Sequence, residues 1–271
     1  MHLTEANYYG VQANLNYMSA SQYKAFLKCE ACAIAEINME YERPKSDALL
    51  LGSYVDEVLT GTPESLEKFI ERNPDMFVSR GANKGQLKAE FKKANETIAK
   101  IHKQPLMMYL LSGEHQTIMT GSIEGVPIKI KMDSYKEGEF IADLKYVKDL
   151  RSPNLFESMI KYWNYDLQLA IYEEVVFQNT GKHLPCYLVI ATKEKVPRVA
   201  VAEVKPWNLE AALNDFKKNA PRFQAIKNGD VEPERCEICD YCADTVILVE
   251  PIDSDHLGLT KEQMKYLDGN E

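Results

Sequence analysis

Between Lys131 and Lys145 two aspartates, Asp133 and Asp143, stand ten positions apart, and Lys145 follows the second by two. Each acid flanks or ends a short apolar run that reads as a strand. Carboxylates brought within a few ångströms of one another repel and resist joint ionisation unless a cation lies between them. Mg²⁺ or Mn²⁺ suits that place, because hard cations take oxygen ligands and keep several waters. An ion so held lowers the pKa of a bound water and grips a phosphate oxygen. A lysine two residues on, on the same strand face, can position that water or offset charge on a pentacovalent phosphorus. The pattern suits metal-dependent hydrolysis of a phosphodiester. An Asp-x-Lys on a solvated strand face looks the same, so other residues must decide.

Two further segments bear on the choice. LLLGSYVDEVL places Gly52 and Asp56 four apart on one helix face. Asp56 is then a third candidate metal ligand, and Gly52 admits a close backbone; a tight helix crossing beside a surface acid is the alternative. YDLQLAIY places Tyr165, Gln168 and Tyr172 on one helical stripe. Gln168 could orient a water or a phosphate, or the stripe could simply pack its aromatics.

Positioning these groups requires a specific set of elements. SASQYKAFLKCEACAIAEI reads as one helix capped by Ser19 or Ser21. SDALLLGSYVDEVLTG reads as a second, with Asp47 near its cap and Gly61 near its end. Residues 62–112 look mostly helical, interrupted by the basic loop RGANKGQLK. VPIKIKMD and FIADLKYV alternate as strands, with Glu137-Gly138-Glu139 as turn material. A five-residue loop, Tyr135 to Glu139, sets Asp133 across from Ile141, which aims Asp133, Asp143 and Lys145 at one face. A long helix over Asn154–Asn179, stopped by Gly181, precedes two strands, LPCYLVIAT and RVAVAEV, and a helix over Leu209–Asn228. The tail from Asp244 carries no clear pattern. This order predicts an α/β fold, a central mixed sheet flanked by helices, in one domain spanning 1–271 with its core at about 19–242 and a tail at 243–271.

The chain has 271 residues, 45% hydrophobic and 27% charged, as expected of a soluble globular protein. No apolar run approaches the roughly 20 residues that span a bilayer. The N-terminus MHLTEANYYG lacks the basic and apolar regions of a signal peptide, so a cytoplasmic location is expected. A net charge of -9 argues against a nonspecific basic coat on nucleic acid but permits an enzyme with one local basic groove. Six cysteines complete the inventory: Cys29 and Cys32 in one CxxC, Cys236, Cys239 and Cys242 in CEICDYC, and Cys186 in an apolar run that reads as core. In an intracellular chain such clusters read as metal or cluster ligands before disulfides.

The order GSYVD, KMD, ADLK, YDLQLAIY, covering about Ser19 to Cys242, resembles the PD-(D/E)xK nuclease superfamily. More narrowly it is similar to the phage-type recombination exonucleases of the RecE and lambda exonuclease group. That resemblance implies a restriction-endonuclease-like core, with Asp56, Asp133 and Asp143 as metal ligands and Asp143, Lys145 and Gln168 as the catalytic set. Asp56 stands where the family more often has His or Glu. It also implies an Mg²⁺- or Mn²⁺-dependent exonuclease acting 5′ to 3′ on ends of linear double-stranded DNA, a single-strand annealing partner and a homo-oligomer. Another nuclease of the superfamily, acting on single strands or internally, and a catalytically idle DNA-binding scaffold are the alternatives. Arg80, Lys84 and Lys88 around the RGANKG loop, Lys129 and Lys131 beside Asp133, and Tyr165 are the expected DNA contacts, although a solvated surface accounts for each taken singly. The cysteines resemble those of iron–sulfur nucleases of the CRISPR adaptation and AddAB type, which implies Cys29, Cys236, Cys239 and Cys242 as [4Fe–4S] ligands. Zinc accepts the same four thiolates, and reduced cysteines in a half-buried terminus are a third reading. Cys32 is a fifth candidate that the resemblance does not explain.

Overall fold

The computed structural model describes residues 2–44 and 46–247 and, beyond them, 251, 254, 255, 258, 259, 263 and 266. Most of the expected tail at 243–271 therefore lies outside the described residues.

Helix α1 covers Val11–Asn16. Ser19 then opens α2 (Ala20–Lys28): its hydroxyl accepts from the Gln22 amide while the Gln22 side chain accepts from the Ser19 amide. The helix stops at Cys29, whose backbone is extended (φ -165°) and whose sulfur caps α3 (Glu30–Ile37). The single helix expected from Ser19 is thus two helices meeting at Cys29. Ser46 caps α4 (Asp47–Thr60), and Thr62 caps α5 (Pro63–Arg72), which has Pro63 in its first turn. The basic loop follows, then α6 (Ala89–Ile101) and α7 (Pro105–Leu110).

The strands come next. β1 (Thr117–Ile123) and β2 (Val126–Met132) form an antiparallel hairpin. Its turn, Glu124-Gly125, has positive φ at both positions, as a two-residue hairpin requires. The pattern read from the sequence did not include β1. The chain breaks at Asp133, then runs through β3 (Ser134–Lys136) and β4 (Phe140–Val147). With β5 (Cys186–Thr192) and β6 (Val199–Val204) these form a four-stranded sheet in the order β3-β4-β5-β6. β4 and β5 are parallel and the other pairs antiparallel. The fold is α/β around a mixed sheet.

Between β4 and β5 lie α8 (Met159–Tyr162) and α9 (Tyr165–Thr180). They replace the continuous helix expected over Asn154–Asn179. Asn164 adopts a left-handed conformation (φ 53°, ψ 43°) that no α-helix can pass through, and Leu155 and Phe156 are left exposed instead of extending the apolar stripe. Gly181 ends α9 in the left-handed region, as expected. α10 (Pro206–Asn228) and the short α11 (Asp240–Asp244) close the described structure.

The sheet is buried on both faces, with successive residues of β4 and β5 turned to opposite sides. Ile141, Cys186, Leu188 and Ile190 join a core with α2, α9 and α10. Phe140, Ala142, Leu144, Val189 and Ala191 join a second core with α4, α6 and α7. Asp143 and Lys145 fall on the Ile141 side of this alternation, beneath α9.

Candidate active site

β3 and β4 set the register of the acids. Lys136 pairs with Phe140 and Ser134 with Ala142, so continuing the ladder sets Asp133 across from Asp143. The loop is three residues, Glu137 to Glu139, with Gly138 in the left-handed region (φ 72°). A five-residue loop and a three-residue loop differ by two, so the expected register is off while the face is the same. Asp133 Oδ2 accepts the Leu144 amide at 2.9 Å, which fixes its carboxylate against β4.

Asp143 is 1% exposed. Its Oδ1 accepts from Gln168 Nε2 at 2.7 Å. Lys145 Nζ lies 2.5 Å from its Oδ2, yet that oxygen has no well-directed hydrogen bond. We read the contact as one between charges. The Gln168 amide is oriented by its surroundings: its carbonyl accepts from Lys145 Nζ (3.4 Å) and Lys24 Nζ (3.2 Å), and its NH₂ donates to Asp143 and to the Tyr172 hydroxyl (3.0 Å). The Tyr165 ring sits beside both amines, 5.2 Å from Lys145 Nζ and 5.9 Å from Lys24 Nζ.

Asp56 reaches the cluster from α4. Thr60 donates to its Oδ1 at 2.9 Å and Gln116 Nε2 to its Oδ2 at 3.3 Å. Gln116 holds φ at 55°, a conformation that costs a side-chain-bearing residue about 1 kcal/mol. Backbone strain of this kind is found where a side chain must be aimed. Gly52 does not serve the close helix crossing considered above, since nothing lies within 4 Å of where its Cβ would be.

Electrostatics ties the three acids into one site. Burial raises the Asp133 carboxyl well above its ordinary value, and Asp143 and Asp56 push it further in the same direction. Asp56 is raised by burial and by Asp143, against the hydrogen bond from Thr60. Burial acts to lower the Lys145 amine, but Asp143 and Asp133 outweigh it and the net shift is upward. Lys24 is lowered to about 8 by burial and by Lys145. Crowded, half-buried carboxylates that resist ionisation, together with the orphaned Asp143 oxygen, are what a hard divalent cation would relieve.

The structure therefore brings Asp56, Asp133, Asp143, Lys145, Gln168 and Tyr165 together. Lys24, Thr60, Gln116 and Tyr172 join them. Tyr172 shares the Gln168 stripe; the other three had no signal in the sequence beyond a helix and a polar residue before a strand. One expectation is corrected. Lys129 is 1% exposed, and its amine donates to the Tyr8 carbonyl (2.6 Å) and Asn14 Oδ1 (2.7 Å). The N-terminal segment covers it, so its amine is buried away from any DNA. Lys131 faces Glu5 at 3.8 Å and the Tyr9 ring at 5.2 Å. Arg80 and Lys84 are exposed in the loop between α5 and α6, where Lys88 is half-buried, and no described hydrogen bond or ion pair joins them to the carboxylates.

At the other end of α2 the sulfurs of Cys29, Cys236, Cys239 and Cys242 all lie within 4.8 Å of one another. Cys32 stands outside the set: its amide donates to Cys29 Sγ and its own sulfur accepts from Arg43. Cys186 is buried in β5 within the main core.

A mixed sheet holding an acid, an Asp-x-Lys and a helical Gln around one buried cluster defines a nuclease of the PD-(D/E)xK class. A family model described as a PDDEXK-like domain of unknown function (DUF3799) matches residues 19–245, and the chain belongs to that family. It is similar, at 40% identity and a TM-score of 0.88, to a candidate exonuclease from Eubacterium rectale whose crystal structure is known; the match covers 96% of this chain and 100% of that chain. A second solved structure, SSO0001, superposes loosely (TM-score 0.32, 13% identity, 85% of this chain and 97% of that chain) and carries no argument. No curated protein matches. No helix among the described residues is long and apolar enough to cross a membrane.

Proposed function

We propose that the protein is an Mg²⁺- or Mn²⁺-dependent exonuclease that degrades linear double-stranded DNA from 5′ to 3′ in phage or prophage recombination. The observation that carries the reading is the convergence of Asp56, Asp133 and Asp143, from a helix, a strand break and a strand, on one buried site with Lys145. Asp56, Asp133 and Asp143 would hold the divalent ion, which supplies an activated water and neutralises a phosphate oxygen when bound. Lys145 offsets the charge that develops on the phosphorus. Gln168, gripped by Asp143, Lys145 and Lys24, positions the attacking water or the phosphate. Tyr165 keeps both amines against the strand and offers a face for a terminal base. The likeness to the candidate exonuclease supports an end-directed activity, and the resemblance to the RecE and lambda exonuclease group supports the polarity, an annealing partner and a ring-shaped homo-oligomer.

The test is digestion of linear duplex labelled at either 5′ or 3′ ends, with Mg²⁺, Mn²⁺ or EDTA. Early release of 5′ label with either ion, none with EDTA, and none from Lys145→Ala is expected. Cleavage of closed circular duplex at the rate of linear duplex would replace the exonuclease with an endonuclease.

A further inference from the structure

Cys29 lies at the α2–α3 junction; Cys236, Cys239 and Cys242 lie more than two hundred residues later, after α10. Fold places them together: Ala31 donates its amide to the Glu234 carbonyl at 3.0 Å, and Glu30 receives Arg222 through both oxygens at 2.8 Å. Cys29 and Cys242 are buried; Cys236 and Cys239 are half-buried. Their sulfurs are not disulfides, since Cys29 and Cys242 stand 3.6 Å apart and Cys236 and Cys242 3.9 Å, against about 2.0 Å for an S–S bond.

Those separations decide what the four thiolates can hold. One ion bound tetrahedrally by sulfurs at about 2.3 Å requires sulfurs about 3.8 Å apart. In a [4Fe–4S] cubane each sulfur binds its own iron, so its distance from the centre is the bond length plus the iron's displacement. Displacing four metals by only about 1 Å already asks for sulfurs about 5.4 Å apart at the same bond length. Four irons cannot lie closer to a common point than that, because they would overlap. All six separations here are within 4.8 Å. The cubane implied by the cysteine resemblance does not fit.

The surroundings suit a single ion. Cys236 Sγ accepts the amides of Ile238 (3.5 Å) and Cys239 (3.3 Å) across a turn in which Glu237 takes φ 58°, and Cys29 Sγ accepts the Cys32 amide at 3.4 Å. Amides aimed at sulfur disperse the charge of metal-bound thiolates. They also give Cys32 a role that uses its backbone and not its thiol. Between the borderline-soft ions that take four thiolates in a tetrahedron, zinc binds more tightly than ferrous iron.

We infer that Cys29, Cys236, Cys239 and Cys242 form a closed structural site for one zinc ion, in place of an iron–sulfur cluster. The site stands apart from the proposed DNA cleavage, so the two are tested separately.

The full chain, purified without oxygen and without added metal, is analysed for zinc, iron and acid-labile sulfide. One zinc per chain, no sulfide and a colourless solution are expected. Four irons with sulfide, a single iron, or a metal-free protein would each overturn the site. Replacing zinc by cobalt should give the visible absorption of tetrahedral thiolate–cobalt. Among variants, Cys239→Ser should lose at least tenfold in zinc content, whereas Cys32→Ser and Cys186→Ser should keep it. Loss of zinc from folded Cys32→Ser would overturn the ligand set, and that variant keeps the test decisive if Cys239→Ser does not fold. Nuclease assays on linear duplex report on the carboxylates alone and leave this result untouched.

Discussion

Asp143 is a buried acid flanked by the half-buried Asp56 and Asp133 with Lys145 among them, and one Asp143 oxygen is left without a directed partner. The four cysteines are groups of one kind too, but their sulfurs close to within 4.8 Å, and those of Cys29 and Cys236 receive amides from their own turns. No carboxylate set closes up in this way among the described residues. Under the proposed function, the looser cluster would exchange an ion and admit a phosphate. The closed one leaves space between its sulfurs for a single ion and nothing larger, in keeping with the zinc site inferred above. Two accumulations of ligand groups in one chain are therefore told apart by the spacing of their ligand atoms.

The strongest way to break that contrast is to neutralise one member of each. Asp133→Asn keeps an oxygen for the Leu144 amide and removes a half-buried like charge. Hydrolysis of labelled duplex should fall by at least about 10²-fold, while the melting temperature measured in EDTA stays level or rises. Cys239→Ser should do the reverse in the second respect: it lowers the melting temperature, by about 2–4 °C for each kcal/mol lost in a chain of this size. A Cys239→Ser protein that melts with the parent would show that the thiolate corner bears no load.

Acidity sharpens the comparison further. Asp133 and Asp56 have folded-state values above the ordinary 3.8, so the folded protein holds protons that the unfolded chain has released. Without a divalent ion these groups cost stability as pH rises from the unfolded value through the raised ones. An ion displaces the protons, so the rise in melting temperature on adding Mg²⁺ should be larger at pH 8 than at pH 5; an equal rise would separate the ion from these carboxyls. The smallest expected effect is at the margin of the site. Gln168→Ala and Lys24→Ala should each slow cleavage by about 10–100-fold, as expected of groups that orient others, with the larger loss at Gln168, which touches Asp143 directly.

Much of the site was legible because its chemistry coincides with its pattern. Asp143 and Lys145 sit in an apolar run whose alternation survives folding, and Asp133 kept its face because a miscounted loop was wrong by an even number. The misses have a common cause, which is that the deciding atoms lie far away in the chain. Lys129 alternates like a surface lysine until Tyr8 and Asn14 fold over it. Cys29 interrupts what composition reads as one helix, in a position dictated by sulfurs some two hundred residues on. Asn164 breaks the long helix with a left-handed turn that propensity does not demand. Lys24 and Gln116 reach the acids from separate segments, and nothing local announces them.

Helix α2 has Lys24 on Gln168 and, five residues on, Cys29 among the sulfurs. Those points are separated by roughly 7.5 Å along the helix axis. One short helix is therefore a shared beam, with the carboxylate cluster hung from its middle and the sulfur corner from its C-terminal end.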